Sequence, residues 1–207
     1  MEGQDSVLKG FQLHGWHPDP ELSEDENCVD LVMLLTRNST CRQGHMACLI
    51  VRPVLCGDDL SLSSLLDRIV TAANNSTVYK ERDSDNHAEI NAVGMAAKLG
   101  KATNGCTSVI TMPPCKRCFG ALVAAGIGRI VSTRPILEPI FSAAKDRCID
   151  VVIMDAAAST DRIAKYLPEP NRDDVEAARA QRDQEKRDRQ LNVKARKRKA
   201  IELDAGV

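Results

Sequence analysis

Residues 107–154 read TSVITMPPCKRCFGALVAAGIGRIVSTRPILEPIFSAAKDRCIDVVIM, and three short β-branched runs stand out in them, at 107–112, 128–133 and 149–154. Between these runs lie helical patterns at 115–125, closed by Gly126, and near 138–147. Two strands joined through a helix run parallel, because an antiparallel pair needs only a tight turn. Working toward the N-terminus, a helix is predicted over 87–99, ending before Gly100, and a buried strand over 46–52, closed by Pro53. The stretch Leu60 to Ala73 fits a helix with Leu62, Leu65, Leu66, Ile69 and Val70 on one face, or a loop followed by a strand. The second reading is preferred, since Arg68-Ile69-Val70-Thr71 is β-branched and runs into the turn formers Asn74-Asn75-Ser76. It leaves 53–66 as an insertion. The predicted architecture is α/β in three layers: a five-stranded mixed sheet with helices on both faces.

Farther out, a helix is predicted over Cys28 to Arg37, with Val29, Leu31, Val32, Leu34 and Leu35 on one broad face. Residues 1–27 are polar and acidic, with Pro18, Pro20 and the run Ser23-Glu24-Asp25-Glu26, and read as a leader over the surface. Beyond Pro168 and Pro170 the chain turns to charged residues and alanines with no apolar stripe, so 169–207 reads as a solvated helix or a disordered tail. This leaves one folded domain over 28–168. A chain of 207 residues with 43% hydrophobic content suits one sizeable core.

The formal net charge of −1 and a sequence pI near 6.4 provide no general basic surface for a polynucleotide backbone. Aromatic residues are 3% of the chain, too few for a stacking platform along unpaired bases, so a small substrate is favoured over a nucleic acid. No apolar run approaches the roughly 20 residues of a membrane span. The opening Met1-Glu2-Gly3-Gln4-Asp5 lacks the basic and apolar regions of a secretory signal, so an intracellular chain with reduced cysteines is expected. Asn38-Ser39-Thr40 and Asn75-Ser76-Thr77 then read as turn chemistry rather than as glycosylation sites.

The chemistry concentrates where two helices begin. His87-Ala88-Glu89 opens one and Pro114-Cys115-Lys116-Arg117-Cys118 opens the other. A helix start presents free N–H groups and a positive dipole end, which favour thiolates, and Pro114 suits a first turn that needs no N–H. His87, Cys115 and Cys118 make three ligands for Zn2+, leaving the fourth tetrahedral position open as in catalytic sites. A structural zinc knuckle closed by a fourth cysteine is the alternative. Its nearest candidate, Cys106, lies a full strand from Cys115, roughly 20 Å at about 3.3 Å per residue. Glu89, two residues past His87, is cast as the proton carrier, since as a ligand it would close the site. The pattern H-x-E…P-C-x-x-C is the signature of zinc base deaminases, with the glutamate outside the coordination shell.

At His87-Ala88-Glu89-Ile90-Asn91-Ala92, Pro114-Cys115-Lys116-Arg117-Cys118 and Ala125-Gly126-Ile127 the chain resembles the cytidine and deoxycytidylate deaminase superfamily, most closely its deoxycytidylate deaminase branch. The resemblance reaches more faintly from Ser39-Thr40-Cys41-Arg42 to about Asp155. Transfer-RNA adenosine deaminases, which also use histidine as first ligand and have parallel last strands, are the nearest alternative. The resemblance implies a cytidine-deaminase-like fold and a zinc-dependent deaminase domain over 28–168. It also implies that Glu89 passes protons to N3 and to the departing ammonia as water adds at C4 of cytosine. Substrate contacts are implied at Asn75 or Asn74 for the sugar, at Thr111 through its backbone carbonyl, and at Ala88. Arg42, beside the first strand, and Lys116 and Arg117, between the two cysteines, are the nearest basic candidates for a phosphate, a solvated first turn being the other reading of Lys116 and Arg117. The expected reaction is dCMP to dUMP, on a free cytosine nucleotide and in a homo-oligomer. An RNA deaminase and a non-catalytic partner subunit are the alternatives, and Glu89 argues against the last.

Other signals remain. His14-Gly15-Trp16-His17 with Cys28 or Cys41 offers a second metal site without standard zinc spacing, and His45 reads as a surface or capping residue. The basic cluster Lys194-Ala195-Arg196-Lys197-Arg198-Lys199 reads as a nuclear-localisation signal, a polynucleotide contact or a solvated end. Nucleus and cytoplasm are both expected locations.

Overall fold

Leu49 and Val51 pack on one side of a sheet while Cys48 and Ile50, their neighbours in the same strand, pack on the other. That alternation explains an unbroken apolar run, since a strand covered on both faces has no polar side to show. The computed structural model describes residues 7–41, 44–54, 63–79 and 84–167, with Gln184 and Arg187 besides. The chain divides into two compact units, Met1–Leu167 and Pro168–Val207. The basic cluster at 194–199 lies outside the described residues, as do Arg42 and most of the 53–66 insertion.

In the first unit the elements are α1 (Glu24–Leu35), β1 (Ala47–Val51), α2 (Ser63–Arg68), β2 (Ile69–Asn74), α3 (Ala88–Lys98), β3 (Thr107–Ile110), α4 (Lys116–Ala124), β4 (Arg129–Ser132), α5 (Glu138–Lys145), β5 (Asp150–Ile153) and α6 (Ala156–Ile163). The sheet order is β2-β1-β3-β4-β5. β1 is antiparallel to both its neighbours, whereas β3, β4 and β5 run parallel, as the helical crossovers require. Leucines of α1 and Ile163 of α6 cover one face with Leu49, Val109 and Val131. Ala92 of α3, Phe119 and Leu122 of α4 and Ile140 of α5 cover the other with Ile50, Ile110 and Ile130.

Three expectations change. The helix predicted from Cys28 begins at Glu24, because Ser23 and Glu26 close a reciprocal capping box around its first turn. The run read as part of a polar leader is therefore that first turn, and three arginines from elsewhere in the chain hold it. Arg68 pairs with Glu24, Arg129 clamps Asp25 with two bonds of 2.6 Å, and Arg162 lies 3.8 Å from Glu26. Ahead of it Trp16 is buried, and Val7, Leu8, Phe11 and Leu13 pack on the α1 side of the core. Second, the stretch before β2 is neither all loop nor one long helix: α2 passes directly into β2, with Leu65 buried. Third, α6 follows β5 where periodicity singled out nothing. Its apolar face is short, and its anchor is the pair of bonds from Arg162 to the buried Asp30.

Candidate active site

Two turns deliver the site residues to neighbouring helix starts. His87 is the N-cap of α3 and Cys115 the N-cap of α4, both in extended backbone, so their side chains project ahead of the helices. Cys118 follows within the first turn of α4. At the other end of α4, Gly126 adopts φ +74°, and an added Cβ there would meet Asn104 Oδ1 at 2.5 Å. This glycine stops the helix at a φ that strains any other side chain, and an added Cβ would also crowd Asn104.

One nitrogen of His87 and the sulfurs of Cys115 and Cys118 lie within 4.8 Å of one another, with His87 Nδ1 3.4 Å from Cys118 Sγ. Tetrahedral zinc at its usual bond lengths places such donors about 3.5 Å apart, so the set fits the ion. Two thiolates and one imidazole on two helix starts would hold a tetrahedral ion with one position left for a water or a substrate atom. Cys106, the candidate fourth ligand, is buried in the core under α3 and α4. Among the described residues His87, Cys115 and Cys118 form the one His/Cys/Asp/Glu cluster able to hold a metal. Of the second-site candidates, Cys28 is buried in the α1 core and Cys41 Sγ donates to Asn75 O at 3.5 Å.

Glu89 is buried beside the cluster, and desolvation raises its carboxyl above the ordinary range, opposed by its own backbone N–H and by His87. Burial also lifts the Cys118 thiol well above the usual range, and the adjacent Glu89 and Cys115 add to it. This knot of groups that resist becoming anionic is the environment a divalent cation reverses.

A cavity of about 100 Å³ opens on the cluster, with Met46, Glu89, Ile110, Thr111 and Met112 in its wall. Thr111 lies in that wall. Its carbonyl accepts from Thr133 Oγ1 at 2.7 Å, and its hydroxyl accepts from Ala47 N at 3.2 Å. Ala88 is buried behind the site as the first residue of α3. Asn74 and Asn75 are not brought to the cavity wall. Asn74 Nδ2 donates to Leu35 O and Met46 O, and the Asn75 amide is bonded within the protein. A second groove, about 510 Å³, starts at His87 and Cys115 and continues past Asp85, Asn86, Lys116 and Arg117. Met46, Met112 and Asn86 went unnoticed in the sequence. Their signal was adjacency to a strand end or a ligand, which becomes informative only once the motifs are placed.

An α/β sheet with a three-donor metal position and a buried carboxyl at two converging helix starts defines a zinc-binding class of protein. The family model described as the cytidine and deoxycytidylate deaminase zinc-binding region matches residues 22–133, more than half of the chain, and the chain belongs to that family. The deoxycytidylate deaminase of Enterobacteria phage T2 is 37% identical over 67 residues, which cover 31% of this chain and 36% of the phage enzyme. The riboflavin biosynthesis protein RibD of Escherichia coli strain K12 is 36% identical over 61 residues, 27% of this chain and 16% of that protein. The chain thus matches about a third of the length of the phage enzyme. Among solved structures, the dCMP deaminase of the cyanophage S-TIM5 aligns with a TM-score of 0.51 at 19% identity, over 66% of this chain and all of that one. The guanine deaminase of Nitrosomonas europaea aligns with a TM-score of 0.50 at 21% identity, over 75% of this chain and 90% of that one. At these identities the structures establish the shared fold.

Proposed function

We propose that the chain is a zinc-dependent hydrolytic deaminase of a free cytosine nucleotide, converting dCMP to dUMP with release of ammonia. The observation that carries the reading is Glu89, a buried carboxyl in the wall of a small cavity, two residues from one metal ligand and against another. Zinc, when bound, supplies a Lewis acid that brings the pKa of a coordinated water to about 7. Glu89 accepts a proton from the attacking water and passes it to N3 as the C4–O bond forms. The same carboxyl then takes the proton of the new C4 hydroxyl and gives it to the amine, so that C4=O forms as the C4–N bond breaks and ammonia leaves. Burial serves both transfers, because a carboxyl with a raised pKa holds a proton between them. Met46, Ile110 and Met112 give the base an apolar slot, and its small volume favours one ring over two.

Lys116 and Arg117, in the groove continuous with the site, support a phosphate on the substrate. The deoxycytidylate deaminases among the relatives support the same choice. A homo-oligomer belongs to the proposal and is read by sedimentation of the zinc-loaded protein. The basic cluster as a nuclear address rests on composition alone. Among the described residues no helix is long and apolar enough to cross a membrane.

Ammonia release from dCMP, deoxycytidine, cytidine, guanine and adenosine in transfer RNA tests the reading. Activity on dCMP exceeding that on deoxycytidine by at least about tenfold in kcat/KM supports it, that being the effect of one charge-assisted contact. Equal rates on the two would remove the phosphate contact, and turnover confined to guanine or to transfer RNA would replace the substrate class.

A further inference from the structure

The register that sets Cys48 of β1 against Ile110 of β3 brings Ala47 opposite Thr111, one residue past the end of β3. A bonded pair in an antiparallel ladder exchanges two N–H···O=C bonds. Here one of the two is replaced. Thr111 N donates to Ala47 O at 3.3 Å, but Ala47 N donates to the Thr111 hydroxyl at 3.2 Å. The side chain of Thr111 has taken the ladder place of its own carbonyl. That carbonyl accepts instead from Thr133 Oγ1 at 2.7 Å, just past β4 on the other side of β3.

Both threonines are buried, so bulk water does not compete for the displaced carbonyl. Thr133 is itself anchored through its backbone, since its N–H donates to Ile110 O at 3.2 Å and continues the parallel ladder. A β-branched side chain on a fixed backbone is stiff at χ1, which makes its hydroxyl a donor of fixed direction. A carbonyl oxygen has two lone pairs, and Thr133 occupies one. Thr111 lies in the cavity wall, as do Met46, Ala47, Ile110, Met112 and Pro113, whose side chains carry no oxygen or nitrogen. An exocyclic amine brought into that cavity carries N–H groups, and a donor left unmet there costs free energy.

We propose that Thr133 is a positioning residue: its hydroxyl draws the Thr111 carbonyl out of the β1–β3 ladder and aims the remaining lone pair at the amine that leaves as ammonia. The resemblance implies the amine contact, and the geometry adds the residue that makes it possible. For the amine the proposal rests on the deaminase reading, and for the carbonyl on the hydrogen bonds alone.

The experiment compares the full-length, zinc-loaded protein with Thr133→Val, which keeps the shape and removes the hydroxyl, and with Thr133→Ser, which keeps the hydroxyl. Turnover of dCMP is measured per bound zinc, together with binding of the pyrimidin-2-one nucleotide, which has hydrogen in place of the amine. In Thr133→Val we expect kcat to fall about tenfold while the Kd of the amine-free nucleotide stays within about twofold, and in Thr133→Ser we expect kcat within about threefold of wild type. Wild-type kcat in Thr133→Val overturns the proposal. So does equal weakening of the amine-free nucleotide, which would mean a general distortion of the cavity, or a Thr133→Ser protein as slow as Thr133→Val, which would assign the effect to methyl packing. Should Thr133→Val fail to fold, Thr111→Val lets Ala47 N reclaim the carbonyl and should also lose about tenfold in kcat; wild-type kcat in it counts against the proposal. If the wild-type chain turns over no cytosine nucleotide, the functional reading fails while the carbonyl is still tested by its carbon-13 resonance. Loss of the Thr133 bond should move the Thr111 carbonyl upfield in Thr133→Val, and an unchanged resonance overturns the proposal.

Discussion

Replacing Arg162 by alanine strips the cation from a carboxylate inside the protein. Asp30 sits in the middle of α1 with its side chain 5% exposed, and Arg162 of α6 meets both of its oxygens, at 2.8 Å from Nε and 2.7 Å from the terminal nitrogen. Breaking a buried pair from one side costs about 3–5 kcal/mol, most of it the penalty of a stranded charge. The Arg162 side chain is itself 25% exposed, so water reaches part of the site and relieves some of that penalty. We therefore expect a loss of roughly 2–3 kcal/mol, at or just below the lower end of that range. At about 2–4 °C per kcal/mol for a protein of this size, Tm should fall by roughly 5–10 °C. The double variant Asp30→Asn/Arg162→Met removes both charges and should recover more than half of the loss. Thermal unfolding of the zinc-loaded proteins, followed by circular dichroism at matched zinc content, measures all three. A loss under about 0.5 kcal/mol for Arg162→Ala, the scale of an exposed pair, would refute the reasoning.

Further outcomes follow from the site and the tail. Cys115→Ala should lose both metal and turnover, with wild-type zinc content near one ion per chain by metal analysis; an active preparation without transition metal would dismiss the zinc site. Glu89→Gln should keep the metal and lose about 10²–10⁴-fold in kcat, because the ligands survive and only proton transfer is removed. Since two thiols must shed their protons to become ligands, and burial makes the Cys118 thiol hold its proton, zinc affinity should weaken steeply with acidification, by up to about 100-fold per pH unit. Competition with a chelator between pH 6 and 8 reads that slope, and a flat profile would mean the thiols are not the ligands. Truncation after Glu169 should leave turnover within a few-fold, and any nuclear accumulation of the full chain should disappear. Aggregation or loss of activity would assign the tail a part in the fold or the assembly.

The sequence carried the metal position and most of the architecture. H-x-E and P-C-x-x-C are local: their spacing places ligands at helix starts, and alternation of β-branched runs with helical periods reveals parallel crossovers before any contact is known. Gly126 marked the end of α4 for the same reason, since a left-handed turn is a property of one residue. The acidic run 23–26 was ambiguous because its meaning depends on Arg68, Arg129 and Arg162, which lie 44, 104 and 136 positions from their partners Glu24, Asp25 and Glu26. Composition alone cannot distinguish a solvated leader from a capped, clamped helix turn. Asn75 shows the limit most sharply. From the chain it was a polar residue at a strand end, matched by resemblance to a sugar contact. The tertiary structure alone shows Ser39, Gly44, Met46 and Ser84 converging on its amide, because hydrogen-bonding capacity is fixed by residue type but spent by whichever segments folding brings within about 3 Å.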